Sequence, residues 1–303
     1  MKKRTFMAIV LLPSFLAIAQ QLPSFEIAPG VHLPAVSCGH PDDTPTSNCT
    51  HGLGPGCNIT AMHMVELWLS PRIQGSGIDT AFGYDNQQGV GAGIRNAVAN
   101  GSIASRDSVF ITTKVNPHDF TSCTADAAVA AVKVDLAQLG VSRLDLVLQH
   151  FPCNTDAENA AVWSGLMQAQ KMNLTRAIGV SHYKVTDLEA LAKAGLVLPS
   201  VLQNSMCVGS HDDETITWCE EHGVTFEAYG ALRSVDFSNP KLVAIAQTHG
   251  VSLAQVALRW VTQFGKGHPL AVSPGTNVEY MTEDLNLGAF TLSEAEMTTL
   301  SAI

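Results

Sequence analysis

Short apolar stretches alternate with helical patterns along most of this chain. The strand-like stretches are residues 35–38, 77–79, 109–114, 144–150, 177–181, 201–204, 224–229 and 270–272. Helical patterns fill the intervals at 60–70, 87–100, 125–139, 163–172, 187–194 and 212–222, then at 241–249 and 253–263, and a last one spans 293–302. Strand–helix alternation requires crossover connections, and crossovers make neighbouring strands parallel. The strands are short and apolar, as strands covered on both faces are. A doubly wound open sheet and a closed (β/α)8 TIM barrel both satisfy the pattern, and eight units in about 250 residues favour the barrel. No second compositional regime appears, so residues 20–303 are expected to form a single domain.

The N-terminus follows other rules. Met1-Lys2-Lys3-Arg4 is a positive cluster, Phe6 to Ala19 is mostly apolar, and Ala17-Ile18-Ala19 has the small-x-small form of a signal-peptidase site. The run holds Pro13 and falls short of the ~20 residues a spanning helix needs. Residues 1–19 therefore read as a cleavable signal peptide, and the protein as entering the secretory pathway (ER lumen or outside the cell) without stable membrane insertion. Asn-x-Ser/Thr sequons at Asn48, Asn58, Asn100 and Asn173 agree with that address. Among seven cysteines, Cys49–Cys57 is the easiest pair and Cys123–Cys153 the next, while Cys38, Cys207 and Cys219 read as small buried residues. Pro41 to Asn58 reads as a polar loop insertion, with Thr60 as the cap of the helix after it. Its Gly52-x-Gly54-x-Gly56 has neither the spacing nor the preceding strand of a dinucleotide fingerprint. A net charge of −10 without a basic cluster in the folded part argues against nucleic acid as a partner.

Barrel enzymes carry reactive residues at the C-terminal ends of their strands. Here those ends are Asp79, Lys114, His150, Ser181-His182, Gln203, Tyr229 and Ser273. Each is polar after an apolar run, so one mouth gathers them. Tyr84 lies five positions beyond Asp79, on the loop above it. The run His211-Asp212-Asp213-Glu214 is rich in ligand types, but contiguous residues on a helix cannot all face one ion, so no metal is expected.

Ile78-Asp79-Thr80-Ala81-x-x-Tyr84-x-Asn86, Thr112-Thr113-Lys114, Leu148-x-His150-x-Pro152, Ile178-Gly179-Val180-Ser181, Ala228-Tyr229 and Ser252–Trp260 together resemble the aldo-keto reductase family, in order and at matching intervals. The resemblance spans about residues 30–303. It implies an NAD(P)H-dependent oxidoreductase acting on a small-molecule carbonyl, as a monomer, with a catalytic tetrad of Asp79, Tyr84, Lys114 and His150. The chemistry supports those types. A phenol titrates near pH ~10, too high for easy donation, and an adjacent ammonium stabilises the phenolate. Tyr84 is then the acid, Lys114 tunes it, Asp79 holds Lys114, and His150 orients the substrate oxygen.

The resemblance also assigns cofactor contacts. Tyr229 would stack on the nicotinamide, and Ser181 and Gln203 would bind its carboxamide. His182 stands where the family has Asn, and Leu232, Ser273 and Thr276 line the remaining course. NADPH is the implied cofactor. The chain departs from the family where basic residues grip the 2′-phosphate, placing Pro274 and Tyr280 there, so tolerance of NADH is expected and Arg233 is the substitute base. A nicotinamide-nucleotide-binding sensor with little turnover is the alternative. A glycoside hydrolase on the same fold would need two strand-end carboxylates, and only Asp79 occupies such a place.

Overall fold

The structure, a computed structural model, describes residues 21–39, 55–116 and 122–303. Eight parallel strands close a barrel: β3 (Val36–Cys38), β4 (Gly77–Asp79), β5 (Phe110–Val115), β6 (Leu144–Gln149), β7 (Thr175–Ser181), β8 (Val201–Ser205), β9 (Thr225–Tyr229) and β10 (Leu270–Val272). β10 pairs with both β9 and β3, so no edge remains. The expected TIM barrel and all eight of its strands are present. Every strand is shifted by two residues or fewer from its sequence reading.

Side chains alternate across a strand with period two, and this sorts the barrel into layers. Ile111, Val147, Ile178, Leu202 and Phe226 belong to the large core shared with the helices. Their neighbours Phe110, Leu146, Leu148, Ala177 and Val201 form a second apolar cluster inside the barrel. The same inward series runs on to Lys114, His150, Ser181 and Gln203. The interior is therefore apolar below and polar at the mouth.

An antiparallel hairpin of β1 (Phe25–Ala28) and β2 (Val31–Leu33) plugs the apolar end, placing Ile27, Val31 and Leu33 against the inner cluster. The sequence reads residues 20–34 as extended and Pro-broken with a turn at Gly30, but not as a paired hairpin. Gly30, with φ of 70°, makes the turn between strands too short to show alternation.

Helices cover the outside: α1 (Pro55–Trp68), α2 (Gln87–Ala99), α3 (Ala125–Leu139), α4 (Asp156–Lys171), α5 (Val185–Lys193), α6 (Asp213–His222), α7 (Pro240–His249), α8 (Leu253–Gln263), α9 (Val278–Leu285) and α10 (Glu294–Ser301). Three differ in kind from the sequence reading. α1 begins at Pro55, inside the expected loop and ahead of the expected Thr60 cap. Proline suits a first helical turn because that turn's N–H groups lack intrahelical partners anyway. α4 begins seven residues early, at a polar turn with no apolar periodicity, capped by Thr155 accepting from the Glu158 amide. α9 is short and mostly polar, and Asn277 caps it by accepting from the amides of Glu279 and Tyr280. Asp212 of the acidic run caps α6 by accepting from the Thr215 amide.

Cys123 and Cys153 form a disulfide that ties the chain after β5 to the chain after β6. Cys38, Cys207 and Cys219 are buried and unpaired. The signal peptide, the Asn48 sequon and Cys49 of the expected Cys49–Cys57 pair lie outside the described residues, so that pair is not described. Asn100 and Asn173 are exposed, and Asn58 is half-buried with its Oδ1 accepting from the Gly89 amide at 2.7 Å. No helix among the described residues is long and apolar enough to cross a membrane.

Candidate active site

Asp79, Lys114 and His150 lie at or next to the ends of three adjacent strands. Lys114 and His150 each stand two residues beyond the neighbouring strand's register partner (Asp79 pairs with Thr112, Lys114 with Leu148), so all three keep the inward parity and step around one mouth. Lys114 Nζ donates to Asp79 Oδ1 at 2.5 Å, to the Thr80 carbonyl at 3.2 Å and to Tyr84 Oη at 3.3 Å. An ammonium has three N–H donors, and this one uses all three. Lys114 is 1% exposed and Asp79 4%. Burial alone would depress the Lys114 ammonium, but the Asp79 carboxylate and the Tyr84 oxygen outweigh it and hold it well above its ordinary value. The lysine is therefore charged across the physiological range.

Tyr84 ends a single 3-10 turn, Phe82–Tyr84, followed by Asp85 in the left-handed region with φ of 50°. Thr80 Oγ1 donates to Asn86 Oδ1 at 2.7 Å, clamping the two ends of that loop together. The half-buried phenol is thus delivered over Lys114, which lies 4.9 Å from its ring centroid. His150 meets the Tyr84 ring edge-on at 5.7 Å and stacks on Phe151 at 4.4 Å.

His182 is the strained member of the mouth, with φ of 61° at the end of β7. Its Nδ1 lies 2.9 Å from the His150 carbonyl and its Nε2 2.9 Å from Tyr229 Oη. A carbonyl only accepts, so Nδ1 carries the proton, and Nε2 accepts from the Tyr229 hydroxyl. Burial lowers the His182 pKa, which keeps this neutral tautomer. Phe151 stacks on the same imidazole at 4.2 Å.

Two cavities meet here. One, of about 380 Å³, is lined by Asp79, Tyr84, His150, Phe151, His182, Gln203 and Tyr229. The other, of about 740 Å³, runs outward over α8 and α9, and the two share Gly230, Arg233, Ala271 and Ser273. The inner pocket thus continues into a groove past the ends of β9 and β10.

The model of the Aldo/keto reductase family matches residues 73–303. The chain belongs to this family. It is 33% identical over 227 residues to an uncharacterised oxidoreductase, YtbE, of Bacillus subtilis, covering 75% of this chain and 78% of that one. It is 31% identical over 241 residues to the 7-acetyl-epi-neemfruitin B aldo-keto reductase of Melia azedarach, covering 72% and 73%. A Bombyx mori aldo-keto reductase solved in complex with NADP superposes with a TM-score of 0.78 at 24% identity over 93% of this chain and 92% of that one. Another aldo-keto reductase, complexed with NADPH, gives 0.81 at 22% identity over 94% and 88%.

Of the residues that the aldo-keto reductase resemblance assigns to the cofactor, His182, Gln203, Tyr229 and Ser273 line the inner cavity, and Leu232 lines the outer one with Ser273. Ser181 is fully buried and its hydroxyl donates to the Gln203 carbonyl at 2.7 Å, so it lines neither. Thr276 is exposed and lines neither. Gln203 spends both N–H groups inside the barrel, on Asp79 Oδ2 at 2.8 Å and on Glu227 Oε2 at 2.9 Å. Its Oε1 is the atom left for a ligand.

Glu227 escapes sequence reasoning. It sits in the middle of an apolar strand, yet it shares the inward face with Tyr229, two residues on, and that spacing is the signal that could have found it. It is fully buried, and burial, followed by the nearby Asp79 charge, pushes its carboxyl up to about 8. An acid whose folded pKa is raised binds its proton more tightly when folded. Its stabilising contribution is complete below the unfolded value near ~4.3 and is lost as pH rises through about 8. Glu227→Gln keeps an acceptor for Gln203 but cannot ionise. Thermal melts from pH 6 to 9 are expected to show a shallower loss of stability in this variant than in the wild type. An equal slope would mean that Glu227 is already ionised in the folded state throughout that range, as it is in the unfolded chain.

Proposed function

We propose that the protein is an NAD(P)H-dependent carbonyl reductase that converts a small aldehyde or ketone to its alcohol. The observation that carries this reading is the Asp79–Lys114–Tyr84 chain opening beside His150 into a cavity that shares its rim with a larger groove over α8 and α9. The NADP and NADPH complexes of the two similar structures support the choice of cofactor class. When bound, the reduced nicotinamide supplies a hydride to the carbonyl carbon.

The chain's own residues do the rest. The Tyr229 ring, fixed by its hydrogen bond to His182, is the surface against which a planar ring rests. His150 and Tyr84 face the same cavity and hold the carbonyl oxygen between them. As negative charge grows on that oxygen, Tyr84 Oη gives it a proton. The Lys114 ammonium, 3.3 Å away, stabilises the phenolate left behind. Asp79 and the Thr80 carbonyl keep that ammonium in place. Phe151 and the His182 ring form a stacked wall, which suits a flat or alkyl substituent on the carbonyl. Turnover of reduced nicotinamide by the purified protein with a panel of aldehydes and ketones tests the reading. Nucleotide binding with no turnover on any of them would favour the sensor.

We further propose that the protein works in the secretory pathway, as its N-terminal sequence and the Cys123–Cys153 disulfide suggest. Protein from secreting cells is expected to gain electrophoretic mobility on endoglycosidase treatment, through exposed Asn100 and Asn173. Unchanged mobility would count against this address.

A further inference from the structure

The outer groove lies past the ends of β9 and β10, the seventh and eighth barrel strands, where barrel enzymes commonly seat a ligand's phosphate. Its charge is of the wrong sign for an extra phosphate. Three carboxylates line it, Glu279, Glu283 and Asp284, against one base, Arg233. Arg233 also lines the inner cavity, and its guanidinium lies 5.7 Å from the Tyr229 ring centroid. The base therefore sits where the two cavities meet, beside Tyr229, while the three carboxylates line the outer groove alone.

Two details sharpen this. Ser252, the cap of α8, donates its hydroxyl to Glu283 Oε2 at 2.8 Å and accepts from the Gln255 amide, so the hydroxyl at that helix start is already taken by a carboxylate. Asp284 is 6% exposed and lines the groove, and its carboxyl group has no hydrogen-bond partner among the described residues. Burial, followed by the Glu283 charge, pushes the Asp284 carboxyl up to about 8. Even with Asp284 protonated, Glu279 and Glu283 remain.

Dinucleotide sites discriminate by this chemistry. A carboxylate accepts from the 2′-hydroxyl of an unphosphorylated adenosine ribose, whereas a guanidinium accommodates a 2′-phosphate. A phosphomonoester near pH 7 carries about −1.5 to −2 charge and would face like charge here. We propose that this groove selects a dinucleotide with an unphosphorylated adenosine ribose, so that NADH rather than NADPH is the working cofactor. This rests on the reductase reading above and goes beyond it.

The test is fluorescence titration of the mature protein with NADH and NADPH at fixed ionic strength. It is paired with calorimetric titration of 5′-AMP against 2′,5′-ADP, which probes the adenosine end alone. NADH is expected to bind about tenfold or more tightly than NADPH, a difference of about 1.4 kcal/mol, and 5′-AMP more tightly than 2′,5′-ADP. Tyr280 is 56% exposed, so Tyr280→Arg should fold normally, and it should shift the NADPH-to-NADH affinity ratio about tenfold toward NADPH. NADPH binding as tightly as NADH, or more so, would overturn this inference alone. Failure of both dinucleotides to bind would overturn the reductase reading with it.

Discussion

Lys114→Met is expected to cost about 3–5 kcal/mol of folding stability and to abolish carbonyl reduction at the same time. The two losses have one origin. Asp79 is 4% exposed, and its Oδ1 accepts from Lys114. Removing the ammonium leaves a carboxylate inside the barrel with only the Gln203 amide to offset it, next to buried Glu227. An isolated buried charge is far more costly than a neutral pair. Chemical denaturation followed by circular dichroism measures the first loss, and reduced-nicotinamide turnover the second. The double variant Asp79→Asn/Lys114→Met should recover part of the stability while remaining inactive, because the buried charge is gone but the phenol is still untuned. A single variant as stable as the wild type would mean that Asp79 takes up a proton or water at little cost.

Tyr84→Phe is the complementary case, with a large effect on rate and a small one on the fold. It removes one oxygen from a half-buried side chain whose ring packing stays in place. Loss of a general acid lowers turnover by about 10²–10⁴-fold. Nucleotide affinity should hold, because the phenol oxygen lies at the reacting end of the inner cavity. Turnover within a factor of about two of the wild type would remove Tyr84 from the proton-donor role. A loss of nucleotide affinity as large as the loss of rate would instead make it a binding residue.

Much of this was legible before any coordinates, for reasons that differ by residue. Asp79, Lys114 and His150 stand out because a polar group closes an apolar run, and barrel geometry turns strand ends into neighbours. Tyr84 is harder to place by periodicity, since it sits on a loop, and its spacing from Asp79 carries it. Glu227 stayed hidden because an acid inside an apolar strand reads as an interruption. Only the barrel's inward register reveals it as the partner of Gln203. Ser181 and Thr276 show the opposite failure. Their sequence positions match the family, but the Ser181 hydroxyl is turned onto the Gln203 carbonyl and Thr276 lies off both cavities. The hairpin over 25–33 was missed because strands of three and four residues, joined at Gly30, carry too little alternation to register. The acidic outer groove was half visible. The absent bases could be read from the sequence, but the convergence of Glu279, Glu283 and Asp284 on one cavity needed α9, a helix the periodicity did not disclose.

The central claim is that Tyr84, charged up by Lys114 and Asp79, protonates a carbonyl oxygen in this cavity. Single-turnover mixing tests it most directly. Protein preloaded with reduced nicotinamide nucleotide is mixed with a small aromatic aldehyde, and the nucleotide's absorbance is followed in the wild type and in Tyr84→Phe. The account predicts rapid loss of that absorbance in the wild type and a rate lower by about 10² or more in the variant, with the nucleotide bound in both. Equal rates in the two proteins would contradict it.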